Sequence, residues 1–306
     1  MRIASLLPSA TEIVFALGAG PELVAISEKC DYPAEAAGRR VVVRARLDDS
    51  QPQAEIDAQV NRLLAAGESL YEVDTDALTH LQCDLVLTQD VCHVCAASPA
   101  DLAAAMERGQ CPARVLSLHP MGLDDVWLDI ERIGVAVGRE PQARALAEAL
   151  RARTQSPMAV PGPRPRVLCL EWFDPPFVAG HWVPEMVERA GGLDVLGVAR
   201  EPGYRCSWQR ILESDPDLIV LMPCGYHLDQ VEQQARGFAW PPAWNGLRAV
   251  RGGQVYLVDA SGQFSRHGPR LADGVQTLQE VMAQYQTPGS STASQSNWRR
   301  WSAQVV

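Results

Sequence analysis

The sequence predicts an α/β protein of two Rossmann-like lobes with mostly parallel sheets, joined by one long backbone helix. Three observations predict it. Short apolar runs alternate with helical periodicity up to about residue 120, the pattern of a parallel sheet with helices on both faces. The same pattern returns after a Pro-rich break, "SPMAVPGPRPR" at 156–166. Between them runs a helical stretch from about Leu123 to Thr154, with apolar Val126, Ile130, Ile133 and Val137, then Leu146 and Leu150. The expected organisation is an N-terminal lobe at 1–120, a linking helix at 121–156 and a C-terminal lobe at 157–286. A polar, Ser-rich tail at 287–306 has the composition of a disordered terminus.

In the first lobe, "RIASL" (2–6) reads as a strand before a helix around Thr11–Leu17, with Ser9 and Glu12 in capping-box positions. "ELVAI" (22–26) and "RVVV" (40–43) are strand-like, and "AEIDAQVNRLLAAG" (54–67) is helical up to Gly67. "CDLVLT" (83–88) is a strand, "SPADLAAAMERG" (98–109) a helix capped by Ser98, and "ARVLSL" (113–118) a strand. Gly138 and Pro141 predict a kink in the linking stretch. The second lobe reads as strand "RVLCLEW", helices "VPEMVERAGG" and "CSWQRILESD", strand "PDLIVLMP", helix "LDQVEQQARG", strand "GQVYLVD" and a last helix from about Pro269 to Gln284.

Composition narrows the function classes. With 306 residues, 47% of them hydrophobic and 21% charged, the chain can bury a large core. A formal net charge of −10 argues against a nucleic-acid partner, since neutralising phosphates needs a Lys/Arg surplus. No apolar run approaches the roughly 20 residues of a membrane span. The apolar start is broken by Pro8, Ser9, Thr11 and Glu12, so it reads as strand, turn and helix rather than a signal peptide. As written, the chain is expected in the cytoplasm, and in the periplasm if an export signal has been removed. The eight scattered Cys are expected to be free thiols.

In open α/β sheets ligands sit beyond the carboxyl ends of the strands. The segments after the strands are "LPSATE", "SEKCDYP", "QDVCHVC", "HPMG", "EWFDPPFVAGHW", "PCGYH" and "ASGQFSRHGPR". They gather Tyr32, Trp172, Phe173, Phe177, His181, Trp182, Tyr226, His227 and Phe264 at strand ends, more aromatic and imidazole surface than plain connections need. The expectation is a ligand cleft between two lobes. Cys92, His93 and Cys95 provide one CxxC pair, whereas a structural zinc site takes four ligands. A redox pair would stand at a helix start, and Cys95 falls short of the predicted one. The favoured reading is three cleft-lining residues, one of them able to ligate a bound metal. His181 and His227 stand as metal ligands, general bases or hydrogen-bonding partners; His80 and His119 read as structural. Glu171, directly after a strand, points to the cleft without a partner carboxylate for acid–base work. No GxGxxG, Walker A loop, GxSxG or HExxH occurs.

"RIASLLPSATEIVFALGAGPELVAISEKCDYP" resembles the opening of the helical-backbone (class III) ABC-type solute-binding proteins, and within them the cobalamin-binding proteins. "DPPFVAG" and "FSRHGPR" are similar to two loops of that family's second lobe, so the resemblance runs from about 2 to 285. It implies two α/β lobes around one rigid helix, with a cobalamin-like corrinoid sandwiched between them by aromatic and apolar contacts. By position it implies ligand contacts from Tyr32, Pro33, Gln89, Asp90 and Cys92, and from Phe177, Gln263 and Phe264. The strand-end reading adds His93, Trp172, His181, Tyr226 and Arg266. The sequence departs from such relatives at "QDVCHVC", where they present Trp and glycines, and at Gln263, which aligns with a Trp. Cys92, His93 or Cys95 is accordingly expected to act at most as an axial ligand to a metal carried in by the ligand. The expected function is non-enzymatic corrinoid binding by a monomer, for uptake with an ABC importer permease or for intracellular carriage. The alternatives are heme, metal-chelate or siderophore binding through the Cys92/His93/Cys95 cluster, or a metal- or thiol-dependent enzyme on the same scaffold.

Overall fold

Residues 1–91, 102, 112–155, 163–286 and 297–301 are described in a computed structural model of the chain. The chain divides into two compact units, Met1–Pro120 with Asp124–Leu150, and Met121–Leu123 with Arg151–Val306. The expected α/β class with two sheets is present; the first sheet is mostly parallel, as expected, whereas the second is evenly mixed, because short antiparallel strands pair at its edges. The helix expected at 98–109, and Cys92, His93, Cys95 and Cys111, lie outside the described residues.

The first unit holds β1 (Ile3–Ser5), β2 (Leu23–Ser27), β3 (Arg40–Ala45), β4 (Tyr71–Val73), β5 (Leu85–Gln89) and β6 (Arg114–Leu118), in the order β4-β3-β2-β1-β5-β6. All neighbours pair in parallel except β3 and β4. Three-residue β4 is too short to show a period in sequence. Helices α1 (Pro8–Ala16), α2 (Gln53–Ala65) and α3 (Thr75–His80) accompany this sheet. The capping box expected at Ser9 and Glu12 is absent: Pro8 starts α1 with its preset φ, Leu7 is the extended N-cap, and Ser9 falls inside the helix.

The stretch expected as one helix is two, α4 (Leu123–Val137) and α5 (Glu140–Thr154). Gly138, at φ +67°, closes α4; its N–H donates to Val135 O at 3.4 Å, and the Arg139 N–H donates to Gly134 O at 2.7 Å. The two helices touch at Gly134, where a Cβ would lie 2.2 Å from that of Ala143. Pro141 stands in the first turn of α5, where a missing N–H breaks no helical bond. The break therefore belongs to the glycine.

The second unit holds β7 (Arg166–Phe173), β8 (Pro176–Val178), β9 (Leu193–Asp194), β10 (Tyr204–Arg205), β11 (Leu218–Leu221), β12 (Val255–Val258) and β13 (Trp298–Arg300). The order is β10-β8-β7-β11-β12-β13, with β9 beside β7. Strands β7, β11 and β12 run parallel, and β8, β10 and β13 pair antiparallel. The helices are α6 (Val183–Arg189), α7 (Trp208–Ser214), α8 (Leu228–Gly237), α9 (Arg248–Arg251), α10 (Ala260–Gln263) and α11 (Leu271–Gln286). Leu168, Leu170, Ile219, Leu221 and Leu257 from three strands form one core cluster with Trp244 and Trp301.

The disordered tail expected at 287–306 is corrected at 297–301. Trp298–Arg300 pair with Tyr256–Val258, and the Trp301 N–H donates to Val255 O at 2.8 Å. Trp298 Nε1 donates to Glu280 at 3.0 Å, Arg299 bridges to Asp229 at 2.6 Å, and the Trp301 ring lies 5.5 Å from that of Trp240. The short Trp-Arg-Arg-Trp run carries a buried side chain at each end, and the polar residues before it hide this in composition. Trp301→Ala should lower the free energy of unfolding by about 3 kcal/mol through the cavity it leaves. Urea denaturation checks this; an unchanged midpoint would mean that the segment is not part of the core.

Candidate functional site

In the first unit β1, β2 and β5 end at one sheet edge, and their apolar bodies finish in buried polar groups: Ser5, Ser27, Thr88 and Gln89. Thr11 Oγ1 donates to Ser5 Oγ at 2.9 Å, Ser5 Oγ donates to Leu7 O at 2.9 Å, and Cys30 Sγ lies 3.1 Å from Thr11 Oγ1. These bonds tie the start of α1 to the segment after β2. That segment presents Tyr32, exposed, and Pro33, half-buried. After β5, Gln89 is buried and Asp90 exposed; the Asp90 N–H donates to Leu118 O at 2.9 Å, and its carbonyl meets His119 Nδ1. His119 thus holds the loop. Cys92, His93 and Cys95, next along the chain, lie outside the described residues.

In the second unit the segments after β7, β11 and β12 are bonded into one surface. The Cys224 N–H donates to Glu171 O at 2.9 Å, Ser261 N–H to Tyr226 O at 2.9 Å, and Gly225 N–H to Ser265 Oγ at 3.1 Å. The stretch expected as a loop after β7 is a β-hairpin, so Phe177 stands on a strand. This hairpin passes the end of β11, whose last residue Leu221 pairs with Leu170. Trp172 opposes Phe177 across β7 and β8, and Phe177 opposes Arg205 across β8 and β10. Directly opposed residues share a face. The Trp172 ring stacks on Tyr226 at 5.8 Å and 23°, and the Arg205 guanidinium lies 5.6 Å from the centre of the Phe177 ring. Tyr226, Trp172, Phe177 and Arg205 thus form one row: three aromatic faces ending in a cation. Sequence reasoning missed Arg205, because a two-residue strand leaves no periodic signal.

Other expected residues serve the layer beneath. His181, at φ +50°, donates its N–H to Glu201 O at 2.6 Å and accepts from the Arg200 N–H at 2.9 Å. Its neighbour Gly180 meets Gly203 backbone to backbone; a Cβ there would lie 2.3 Å from the Gly203 nitrogen. Trp182 Nε1 donates to Phe264 O at 2.7 Å. Gln263 and Phe264, expected at a ligand-facing turn, are buried, and Gln263 Oε1 accepts the Thr277 hydroxyl at 2.9 Å. That bond turns the amide to the interior. Arg266 is half-buried on the same turn. His227 caps α8, with Nδ1 3.1 Å from Asp259 Oδ1. Exposed Cys224 and buried Cys30, Cys83, Cys169 and Cys206 form no disulfide.

Among the described residues no three His, Cys, Asp or Glu side chains group to hold a metal. Burial pushes Asp194 up to about 6, at the β9 end that pairs with Val167 near the opposite end of β7. Burial pushes Asp129 in α4 up to about 6 beside Arg132. His267, wholly enclosed and 5.8 Å from the Trp182 ring, is lowered by burial to about 4, so it is neutral under the loop it supports.

The periplasmic binding protein family profile matches residues 3–261, and the chain belongs to that family. A vitamin B12-binding protein of Vibrio cholerae is 24% identical over 282 residues, 90% of this chain and 87% of that one. An uncharacterized ABC transporter substrate-binding lipoprotein of Bacillus subtilis is 23% identical, over 91% of this chain and 79% of its own. Among solved structures, the periplasmic vitamin B12-binding protein of Vibrio cholerae superposes with a TM-score of 0.64 at 23% identity, covering 94% of this chain and 98% of that one. A periplasmic heme-binding protein of Roseiflexus sp. RS-1 gives 0.68 at 20%, over 94% and 99%.

Protonation of His267 should couple to stability. Its folded pKa of about 4 lies below the ordinary 6.5, so the unfolded chain binds the proton more readily between these values. Its contribution is present above pH 6.5 and is lost as pH falls towards 4. The stability of the wild type relative to His267→Gln should therefore grow by about 3 kcal/mol from pH 4 to pH 7. Parallel denaturation series measure this; a difference independent of pH would mean that the imidazole is not buried neutral.

Proposed function

We propose that this protein binds a cobalamin-like corrinoid without chemical conversion, through the strand-end surfaces of its lobes, and hands it to an ABC importer permease. The end-to-end similarity to vitamin B12-binding proteins carries this reading. Supporting it, flat aromatic faces gather at the strand ends, where a broad, largely apolar macrocycle can be held by stacking and area burial. Tyr32 and Pro33 supply the corresponding surface of the first lobe. No described helix is long and apolar enough to cross a membrane. With an importer the protein acts outside the cytoplasmic membrane; as a carrier it stays in the cytoplasm, and cell fractionation separates the two.

The second reading is a heme or metal-chelate ligand held partly by Cys92, His93 or Cys95. What favours it is that two thiols and an imidazole follow β5, directly beyond Gln89 and Asp90. Titration calorimetry with cyanocobalamin should give a dissociation constant in the micromolar range or tighter, weakened about tenfold by Trp172→Ala as one stacking face is lost. No heat at micromolar protein would overturn the corrinoid reading. Hemin decides the second: a Soret shift that survives in the wild type and disappears in His93→Ala would establish it in place of the first.

A further inference from the structure

We infer that the C-terminal strand β13 is a latch on the ligand surface of the second lobe. Its docking along β12 positions the segments after β7, β11 and β12, so strand docking and ligand binding are coupled. The inference rests on the proposal that the row of Trp172, Phe177 and Tyr226 is the ligand platform, and adds the element that holds it.

Strand β13 lies beyond residues 3–261, where the family profile matches. Among the described residues it covers an edge of β12 that would otherwise stand open, and ladder bonds alone would do that. Its contacts reach further, along three routes to the strand-end surface. The first is backbone. The Asp259 N–H donates to Asn297 O at 3.0 Å, and the Asp259 carboxylate caps α10 through the Gly262 N–H at 3.4 Å and meets His227 Nδ1 at 3.1 Å. From the same helix the Ser261 N–H donates to Tyr226 O at 2.9 Å, and Tyr226 stacks on Trp172. The second route is ionic: Arg299 pairs with Asp229 and Glu232 on α8, the helix that His227 caps. The third is aromatic. The Trp301 ring lies 5.5 Å from Trp240, Trp240 lies 5.2 Å from Phe173, and Phe173 follows Trp172 on β7.

The routes end at Tyr226, at the helix that starts just after it, and at the residue next to Trp172. Releasing β13 therefore removes three constraints from the row at once. The freed segments sample more conformations, and ordering them again costs ligand affinity. The coupling runs both ways, so a ligand that orders the surface also holds the strand down. The strand itself is fastened to the body of the lobe: Trp298 Nε1 donates to Glu280 at 3.0 Å, its ring lies 5.6 Å from Tyr256, and the Trp301 N–H donates to Val255 O at 2.8 Å.

Arg299→Pro in the full chain tests the latch. Proline removes an N–H from the middle of β13 and the guanidinium from its two carboxylates, while the buried Trp298 and Trp301 stay unaltered. Arg299→Lys keeps both the N–H and the charge and is the control. Without ligand, Arg299→Pro should speed amide exchange at 298–301 and, with it, at 226–228 and 259–263. It should weaken cyanocobalamin about tenfold, and by reciprocity saturating cyanocobalamin should slow wild-type exchange at 298–301 by about the same factor. Arg299→Lys should resemble wild type throughout. Faster exchange at 298–301 with 226–228 and 259–263 unchanged would overturn the inference, and so would full affinity in a variant whose strand is released. Unchanged exchange at 298–301 would mean that these contacts do not hold the strand, and overturns it too. If Arg299→Pro does not fold, Arg299→Glu, which keeps the N–H, carries the same readouts. If wild type binds no cyanocobalamin, the corrinoid reading falls, and exchange in the ligand-free variants still decides the latch.

Discussion

The registers that bind β7 to β8 and β8 to β10 are the constraint on which the site in the second lobe depends. Strand β7 is paired in parallel to β11 on one edge, up to Leu170. On its other edge Leu170–Phe173 pair with the folded-back Pro176–Val178, and β10 covers the far side of that hairpin. Pairing at a fixed register decides which side chains share a face, since a slip of one residue would reverse them. It brings Trp172, Phe177 and Arg205 into one row, and the segment after β11 adds Tyr226 by stacking.

Everything beneath this row keeps it from moving. Backbone bonds from Cys224, Gly225 and Ser261 connect the three segments at the sheet edge. The close approach of Gly180 and Gly203 leaves no room for a side chain and ties the β9–β10 excursion to the loop after β8. Below it, Trp182, Phe264 and neutral His267 form a packed layer, and Gln263 is turned inward by Thr277. In the first lobe the same role falls to hydroxyls: Ser5 and Thr11 bond each other under the segment that displays Tyr32. Both lobes thus rest their strand-end segments on a buried polar or aromatic layer, the arrangement that pre-organised binding requires.

Much of the fold was legible in the sequence because parallel strands buried on both faces read as unbroken apolar runs, as in "LVL" (85–87) and "LIVL" (218–221). What escaped was short or locally masked. Strands β4, β9 and β10 have two or three residues and show no period, and β8 lies behind two prolines that read as loop. The Trp-Arg-Arg-Trp strand near the C-terminus was hidden by the Ser-rich residues before it. Gly138 was read as a kink but ends a helix outright, because its positive φ reverses the chain. For the site, aromatic residues after strands pointed to Trp172, Phe177 and Tyr226, which the structure brings into one row with Tyr226 buried. Position along the chain could not tell Gln263 and Phe264, which turn inward, from residues that face out, since that is decided by partners such as Thr277 far along the sequence. Arg205 was invisible for the opposite reason: nothing local marks an arginine whose meaning comes from the strand beside it.

The central claim is that a ligand is held on the strand-end surfaces of the two lobes, with the Trp172 row as its platform in the second. Hydrogen–deuterium exchange with and without saturating cyanocobalamin tests it most directly, because it reports where protection appears without presuming a contact. The account predicts slowed exchange at 28–33 and 89–91 in the first lobe, and at 171–178, 204–206 and 223–228 in the second, with the distal β9 region unchanged. Binding accompanied by protection elsewhere, with these segments unaffected, would contradict it.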